Sequence, residues 1–99
     1  MSKYQVLYHQ RVEDDIDDVL SYYCKIDNQL ALDFLDRIEE AKQKIVNMPE
    51  GFELRFRSVR SVLLQQFNYH IYYTLDGTAI IILAILHAHS GPGKIQEIT

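Results

Sequence analysis

One cysteine, Cys24, is the whole thiol inventory of a 99-residue chain. An internal disulfide is excluded, and no second Cys stands at metal-ligand spacing. A reducing compartment follows. The place of Cys24 inside a helical pattern predicts a packed thiol rather than a nucleophile. Long apolar runs are missing as well. The longest, Ala79 to Leu86, has eight residues, against about 20 for a membrane-spanning helix. No apolar run follows Met1-Ser2-Lys3-Tyr4, so no signal peptide is expected. A chain free of the membrane and located in the cytoplasm is the expectation. Excess positive charge is also absent. A net charge of −4 argues against bulk binding to nucleic acid.

What is present is unevenly placed. Residues 1–50 carry six Lys/Arg against eleven Asp/Glu, whereas Arg55 to Leu75 contains three Arg and no acid. The two halves are expected to face different neighbours. Apolar residues make up 47% and aromatics 11%, enough for one core, so residues 1–99 are expected to form a single domain. A domain this small leaves much surface wet, and a partner covering apolar surface would stabilise it.

Tyr4 to His9 is rich in β-formers and predicts a strand. Val12, Ile16, Val19, Leu20 and Tyr23 recur on one helical face. Glu13, Asp14 and Asp15 precede that stripe's middle, where carboxylates suit the positive end of the helix dipole. The run Glu13 to Asp18 is expected to be a solvated face, able to receive basic residues of a partner. Asp27 or Asn28 caps a second, longer helix through Leu30, Phe34, Ile38, Ala41 and Ile45 to Asn47. Met48-Pro49-Glu50-Gly51 stops it, and the short break between the helices makes them an antiparallel hairpin.

Beyond Gly51, Phe56 to Leu64 predicts one strand, which places Arg55 and Arg57 on one face and Arg60 on the other. Phe67 to Thr74 alternates with period two and predicts another strand. Asp76-Gly77 is a hairpin turn. Ala79 to Leu86 is apolar on both alternations and predicts a strand covered on both faces. Ser90 to Thr99 is expected to be loop or frayed end. The order is β-α-α-β-β-β, an α+β fold with the helical hairpin on one face of a small antiparallel sheet. The opposite face, bearing Asn68, His70 and Tyr72 or their alternates, is left for a partner chain.

From Tyr4 to about Pro92 this pattern resembles the RelE/ParE superfamily of type II toxin–antitoxin toxins. The segments that carry the resemblance are Val6…Asp15-Ile16, Ala31 to Ile38, Met48-Pro49-Glu50-Gly51, Arg57-Ser58-Val59-Arg60, Phe67 to Tyr73, and Ile80 to His87. It implies a RelE/ParE-like fold, with the sheet mixed at its N-terminal strand. It also implies a toxin neutralised by a co-encoded antitoxin whose C-terminal segment wraps it. One branch, RelE-like, cleaves ribosome-bound mRNA. The other, ParE-like or plasmid-stabilising, inhibits growth by binding DNA gyrase. The chain departs from the RNase pattern. His70 stands where that branch commonly has Arg, the ending His87-Ala88-His89-Ser90-Gly91-Pro92 lacks two arginines, and no Tyr follows residue 73. The departures count against the RNase branch, and the missing arginines also depart from the basic ending common among ParE-like toxins. Protein binding in the ParE manner is the expectation.

Two sets of residues are candidates for chemistry. Arg55, Arg57, Arg60, Tyr72 and His87 are expected to contact the target, through guanidinium pairing with phosphate or carboxylate and through ring packing. His70 and His89 are the candidate acid–base pair for the alternative, an endoribonuclease, because imidazole titrates near neutrality. A third reading is a drifted toxin that only binds its antitoxin. Two His at i, i+2 without a third ligand predict no metal site, and no cofactor is expected.

Overall fold

The computed structural model describes residues 3–89 and 91–98. Strand β1 (Gln5–Tyr8) leads into helix α1 (Arg11–Ile26) and helix α2 (Asn28–Asn47). Strands β2 (Leu54–Phe56), β3 (Val59–Leu63), β4 (Tyr69–Asp76) and β5 (Ala79–His87) follow, and helix α3 (Gly91–Ile98) closes the order. The sheet runs β1-β5-β4-β3-β2, with β1 at the edge, parallel to β5, and every other pairing antiparallel.

The helix ends obey local chemistry. Gln10 makes no side-chain cap at α1. His9 Nδ1 instead accepts from the Arg11 N–H at 3.2 Å, satisfying one orphan donor of the first turn. Asp27 caps α2, its Oδ1 accepting from the Gln29 N–H at 2.9 Å. Phe34, Ile38, Ala41 and Ile45 bury one stripe of α2, and Val12 and Val19 one stripe of α1, against Val62, Ile71, Tyr73, Ile80, Ile82 and Ile85 of the sheet. Tyr73 is fully buried, and its hydroxyl donates to the Pro49 carbonyl at 2.6 Å. That bond ties the exit of α2 to the middle of the sheet.

Three sequence expectations need correction. The strand expected over Phe56 to Leu64 is two strands, β2 and β3, with Phe56 opposite Val59. Arg57 therefore sits in a two-residue turn, at φ 53°, and not on a strand face beside Arg55. No Gly, Asn or Asp marks the turn in the sequence, so the usual hairpin signal is absent. The tail is not loop: residues 91–98 form α3, while Ser90 and Thr99 lie outside the described residues. An eight-residue helix has little stability of its own, and it persists here because Ile95 is buried against Val59, Tyr72, Ala84 and Leu86. The sheet face expected to await a partner is thus covered in part by the chain itself. Third, Cys24 is exposed rather than packed.

A bulge explains why β5 is apolar on both alternations. Tyr72 pairs with Ala84 but Tyr73 pairs with Ile82, leaving Leu83 as the extra residue. Past it the alternation changes phase. Ile80, Ile82 and Ile85 join the core under the hairpin, and Ala84 and Leu86 pack under α3.

Burial raises the phenol pKa of Tyr73 to about 12, and the nearby Arg60 charge opposes this only in part. The unfolded chain ionises tyrosine near 10. Stability from the neutral phenol is therefore intact below pH 10 and is lost as pH rises towards about 12. Tyr23, Tyr69 and Tyr72 shift in the same direction, each chiefly through burial. Urea midpoints are expected to fall between pH 10 and 12. Tyr73→Phe should flatten part of that fall and should cost about 1–3 kcal/mol at neutral pH, since the Pro49 carbonyl loses its donor. An unchanged pH profile in that variant would show that Tyr73 does not carry the alkaline transition.

Candidate functional site

Strands β2 and β4 and helix α3 converge on a cleft of about 240 Å³, lined by Arg55, Phe56, His70, Tyr72, Ala88, Ile95 and Gln96. Arg55 is aimed into it by Ser61, a buried hydroxyl on β3 whose Oγ accepts from Arg55 Nε at 2.8 Å. A second tie, to Glu53 at 3.5 Å, is longer and exposed. The His70 and Tyr72 rings lie 5.8 Å apart on one face of β4. Burial lowers the His70 pKa, and the Arg55 charge lowers it further. The imidazole is thereby held neutral around pH 7. Its Nδ1 is buried and has no hydrogen-bond partner among the described residues. A neutral imidazole beside a guanidinium can bind an anionic group or take up one proton.

The other expected site residues lie elsewhere. His70 pairs across the sheet with Leu86, whereas His87 pairs with Tyr69, so the two imidazoles are on opposite faces. His87 meets the Tyr69 ring at 5.3 Å and stacks on His89 at 5.3 Å, and the His89 N–H donates to His87 Nδ1 at 3.2 Å. The expected pair His70 and His89 is therefore not brought together. Arg60 points to the hairpin side and donates to the carbonyls of Phe52 at 2.6 Å and Glu50 at 3.2 Å. It holds the β2 approach in place. Arg57 is exposed at the β2–β3 turn, its guanidinium 5.0 Å from the Phe56 ring. Of the seven residues singled out in the sequence, Arg55, His70 and Tyr72 share the cleft. Among the described residues no three His, Cys, Asp or Glu side chains are grouped for a metal.

Two features have only a faint sequence signal. Asp15, within the acidic run, is not a solvated carboxylate. Its Oδ2 accepts from the Ile85 N–H at 3.1 Å, and Arg11 pairs with both of its oxygens. The i, i+4 spacing of Arg11 and Asp15 is the available hint. An apolar furrow of about 430 Å³ lies between α1 and α2, with Val12, Ile16, Leu35 and Ile38 as walls over Ile71 and Ile82. Lys42 reaches across it, its Nζ 5.1 Å from the Tyr8 ring and 3.0 Å from Glu39 Oε1. Burial depresses the Lys42 pKa, but the hydrogen bonds to Tyr8 and Glu39 outweigh that and raise it. The sequence places Tyr8 and Lys42 far apart, so only the fold reveals their contact.

No helix among the described residues is long and apolar enough to cross a membrane. The architecture agrees with known toxins. A chain of the chromosomal ParDE toxin–antitoxin system from P. aeruginosa superposes with a TM-score of 0.77 at 18% identity, over 88% of this chain and 98% of that one. The isolated E. coli RelE toxin gives 0.56 at 12% identity, over 97% and 99%. These likenesses concern the fold. In sequence, the Toxin ParE2 proteins of two Mycobacterium tuberculosis strains are each 30% identical over 93 residues, covering 89% of this chain and 85% of theirs. The model of the ParE toxin family of parDE type II toxin–antitoxin systems matches residues 6–91. With the hairpin on a mixed sheet, the bulged β5 and this match over most of its length, the chain belongs to the ParE toxin family of type II toxin–antitoxin systems.

Proposed function

We propose that this toxin acts by binding DNA gyrase, with the Arg55–His70–Tyr72 side of the sheet and the nearby Arg57 as its contact surface. The observation that carries this reading is the separation of His70 from His87 and His89 on opposite faces of the sheet. Metal-free cleavage of a phosphodiester by acid–base catalysis needs a second proton-transfer group within reach of the first. Beside His70 the cleft offers one guanidinium and the Tyr72 phenol, whose pKa burial raises further from neutrality, so no second group there titrates near pH 7 and the set suits recognition. Membership in the family implies a cognate antitoxin as partner. We place its amphipathic segment in the α1–α2 furrow. The floor there is apolar, and Glu39 at its border is paired with Lys42. Glu13 and Asp17 line the neighbouring hollow at the start of α1, which suits a segment with apolar anchors and a basic residue at the α1 end.

The test sets two assays side by side with the purified toxin. Gyrase supercoiling is expected to be inhibited, and ribosome-bound mRNA is expected to stay intact. Arg55→Ala should raise the inhibitory concentration about tenfold or more, as loss of an arginine that becomes buried at the centre of an interface does, while His89→Ala should leave it unchanged. Cleavage of mRNA that disappears in His70→Ala and His89→Ala chains would instead establish the endoribonuclease. Absence of both activities, with no growth arrest on induction without antitoxin, would leave a chain that only binds its antitoxin.

A further inference from the structure

Strand β3 buries apolar side chains on both of its faces, with Val62 in the core under the hairpin and Val59 in the cluster on the opposite side. Between them stands a hydroxyl. Among the described residues Ser61 is the one buried polar side chain that is not aromatic, at 5% exposed. A buried hydroxyl costs stability unless a hydrogen bond offsets it, and an apolar β-branched residue suits such a site better. Its use lies on β2. Leu54 pairs with Arg60 and Phe56 with Val59, so Arg55 is an extra residue in that strand. A bulge of this kind re-aims the side chain it carries. Ser61 closes it on both sides. Its N–H donates to the Glu53 carbonyl at 3.2 Å, and its Oγ accepts from Arg55 Nε at 2.8 Å. Tyr72 lies opposite Ser61 in the β3–β4 ladder, so the hydroxyl stands on the sheet face that bears His70 and Tyr72.

A guanidinium presents two forks, Nε with Nη2 along its side and Nη1 with Nη2 at its end. The side fork of Arg55 is engaged, Nε by Ser61 and Nη2 by Glu53 at 3.5 Å. We propose that Ser61 is a positioning residue for target binding: by holding Nε it commits Arg55 to meet the target end-on, through Nη1 and Nη2. The end fork matches two acceptor oxygens lying in one plane. An arginine free to rotate loses side-chain entropy when it binds, and Ser61 removes part of that loss before the target arrives. The same bond keeps the charge near β4, where it acts on both His70 and Tyr72. That the end-on contact belongs to the target rests on the proposed function. That Ser61 fixes the guanidinium does not, and the free toxin tests it.

The experiment follows the Arg55 Nε–H and the His70 imidazole by NMR in the full chain, alongside gyrase inhibition, for Ser61→Ala, Ser61→Thr and Arg55→Lys. Ser61→Ala should speed solvent exchange of the Arg55 Nε–H about tenfold or more. It should also move the His70 pKa upward, since a loosened guanidinium swings towards water and away from β4. The inhibitory concentration should rise about fivefold. Ser61→Thr keeps the hydroxyl and should stay close to the native chain in all three measurements. In an Arg55→Ala chain, Ser61→Ala should change inhibition by less than about twofold, because the side chain it positions is gone. Arg55→Lys leaves Ser61 in place and keeps the charge but has no fork, so it should inhibit nearly as poorly as Arg55→Ala. The proposal fails if Ser61→Ala leaves the Nε–H and His70 unchanged. It also fails if Ser61→Ala weakens inhibition equally with and without Arg55, the mark of a merely structural role, or if Arg55→Lys inhibits like the native chain. A native chain that leaves gyrase untouched overturns the proposed function instead, and the two NMR measurements still decide whether Ser61 holds Arg55.

Discussion

Phe34→Ala is expected to destabilise the toxin by about 3–5 kcal/mol, the range for emptying a fully buried aromatic site. Phe34 is 0% exposed. Its ring meets Tyr23 at 6.1 Å, Phe67 at 5.2 Å and Tyr69 at 5.6 Å, so it joins α1, the β3–β4 connection and β4 through one side chain on α2. No neighbour can collapse into the gap without moving a helix or a strand, which puts the cost at the upper end of the range. A domain of this size has roughly 5–15 kcal/mol in all, and each kcal/mol moves the thermal midpoint by about 4–8 °C. The variant should melt some 15 °C or more below the native chain, or be unfolded at 37 °C. Phe34→Leu, which keeps most of the volume, should lose far less. Calorimetry on the three chains decides the matter. A shift in Phe34→Ala as small as that in Phe34→Leu would mean that the aromatic cluster can repack, and that the hairpin is held to the sheet by other contacts.

That hub is legible in the sequence, because Phe34 falls on the apolar stripe of α2 with Ile38, Ala41 and Ile45. Periodicity exposes a helix that buries one face, and it exposes β4 equally well through the alternation of Tyr69, Ile71 and Tyr73. The RelE/ParE-like fold follows from the order of those patterns. What stays hidden depends on pairings far apart in the chain. The break between β2 and β3 uses Arg57 at a positive φ, a backbone state that composition does not announce for Arg. The bulge at Leu83 emerges only when β5 is registered against β4. Helix α3 forms because Ile95 finds a seat across the sheet, and a segment beginning Gly-Pro-Gly carries no helical signal of its own. The candidate site is legible to the same degree. Arg55, His70 and Tyr72 do converge, since β2 and β4 flank β3 on one face. His89 does not join His70, because register puts His87, at the end of β5, on the face opposite His70, and His89 stacks on His87 beyond the strand.

Asp15→Ala is expected to cost about 2–3 kcal/mol, much more than loss of a surface carboxylate usually does. The reason lies in the sheet edge. Strand β1 covers β5 only as far as Tyr8 opposite Ile82, and the bulge follows at once. The Ile85 N–H consequently has no strand to bond, and Asp15 on α1 serves as its acceptor at 3.1 Å. The same carboxylate holds Arg11 through both oxygens, and its side chain is only 10% exposed. Removing it strands a part-buried backbone donor and releases a guanidinium that had been bound in fork geometry. Asp15→Asn retains an acceptor for Ile85 and should cost about 1 kcal/mol. Arg11→Ala removes a partner that is 30% exposed and should cost less than Asp15→Ala, because water replaces part of the pairing. Urea denaturation ranks the three variants, and amide exchange identifies the cause: in Asp15→Ala the Ile85 amide should exchange much faster while the Ile80 amide, inside the β1–β5 ladder, changes little. Equal losses in Asp15→Ala and Arg11→Ala, with Ile85 exchange unaltered, would reduce Asp15 to an ordinary ion-pair partner. The expected outcome instead makes one carboxylate the substitute for a missing strand, closing the edge of β5 beside the furrow and fixing α1 over the bulge.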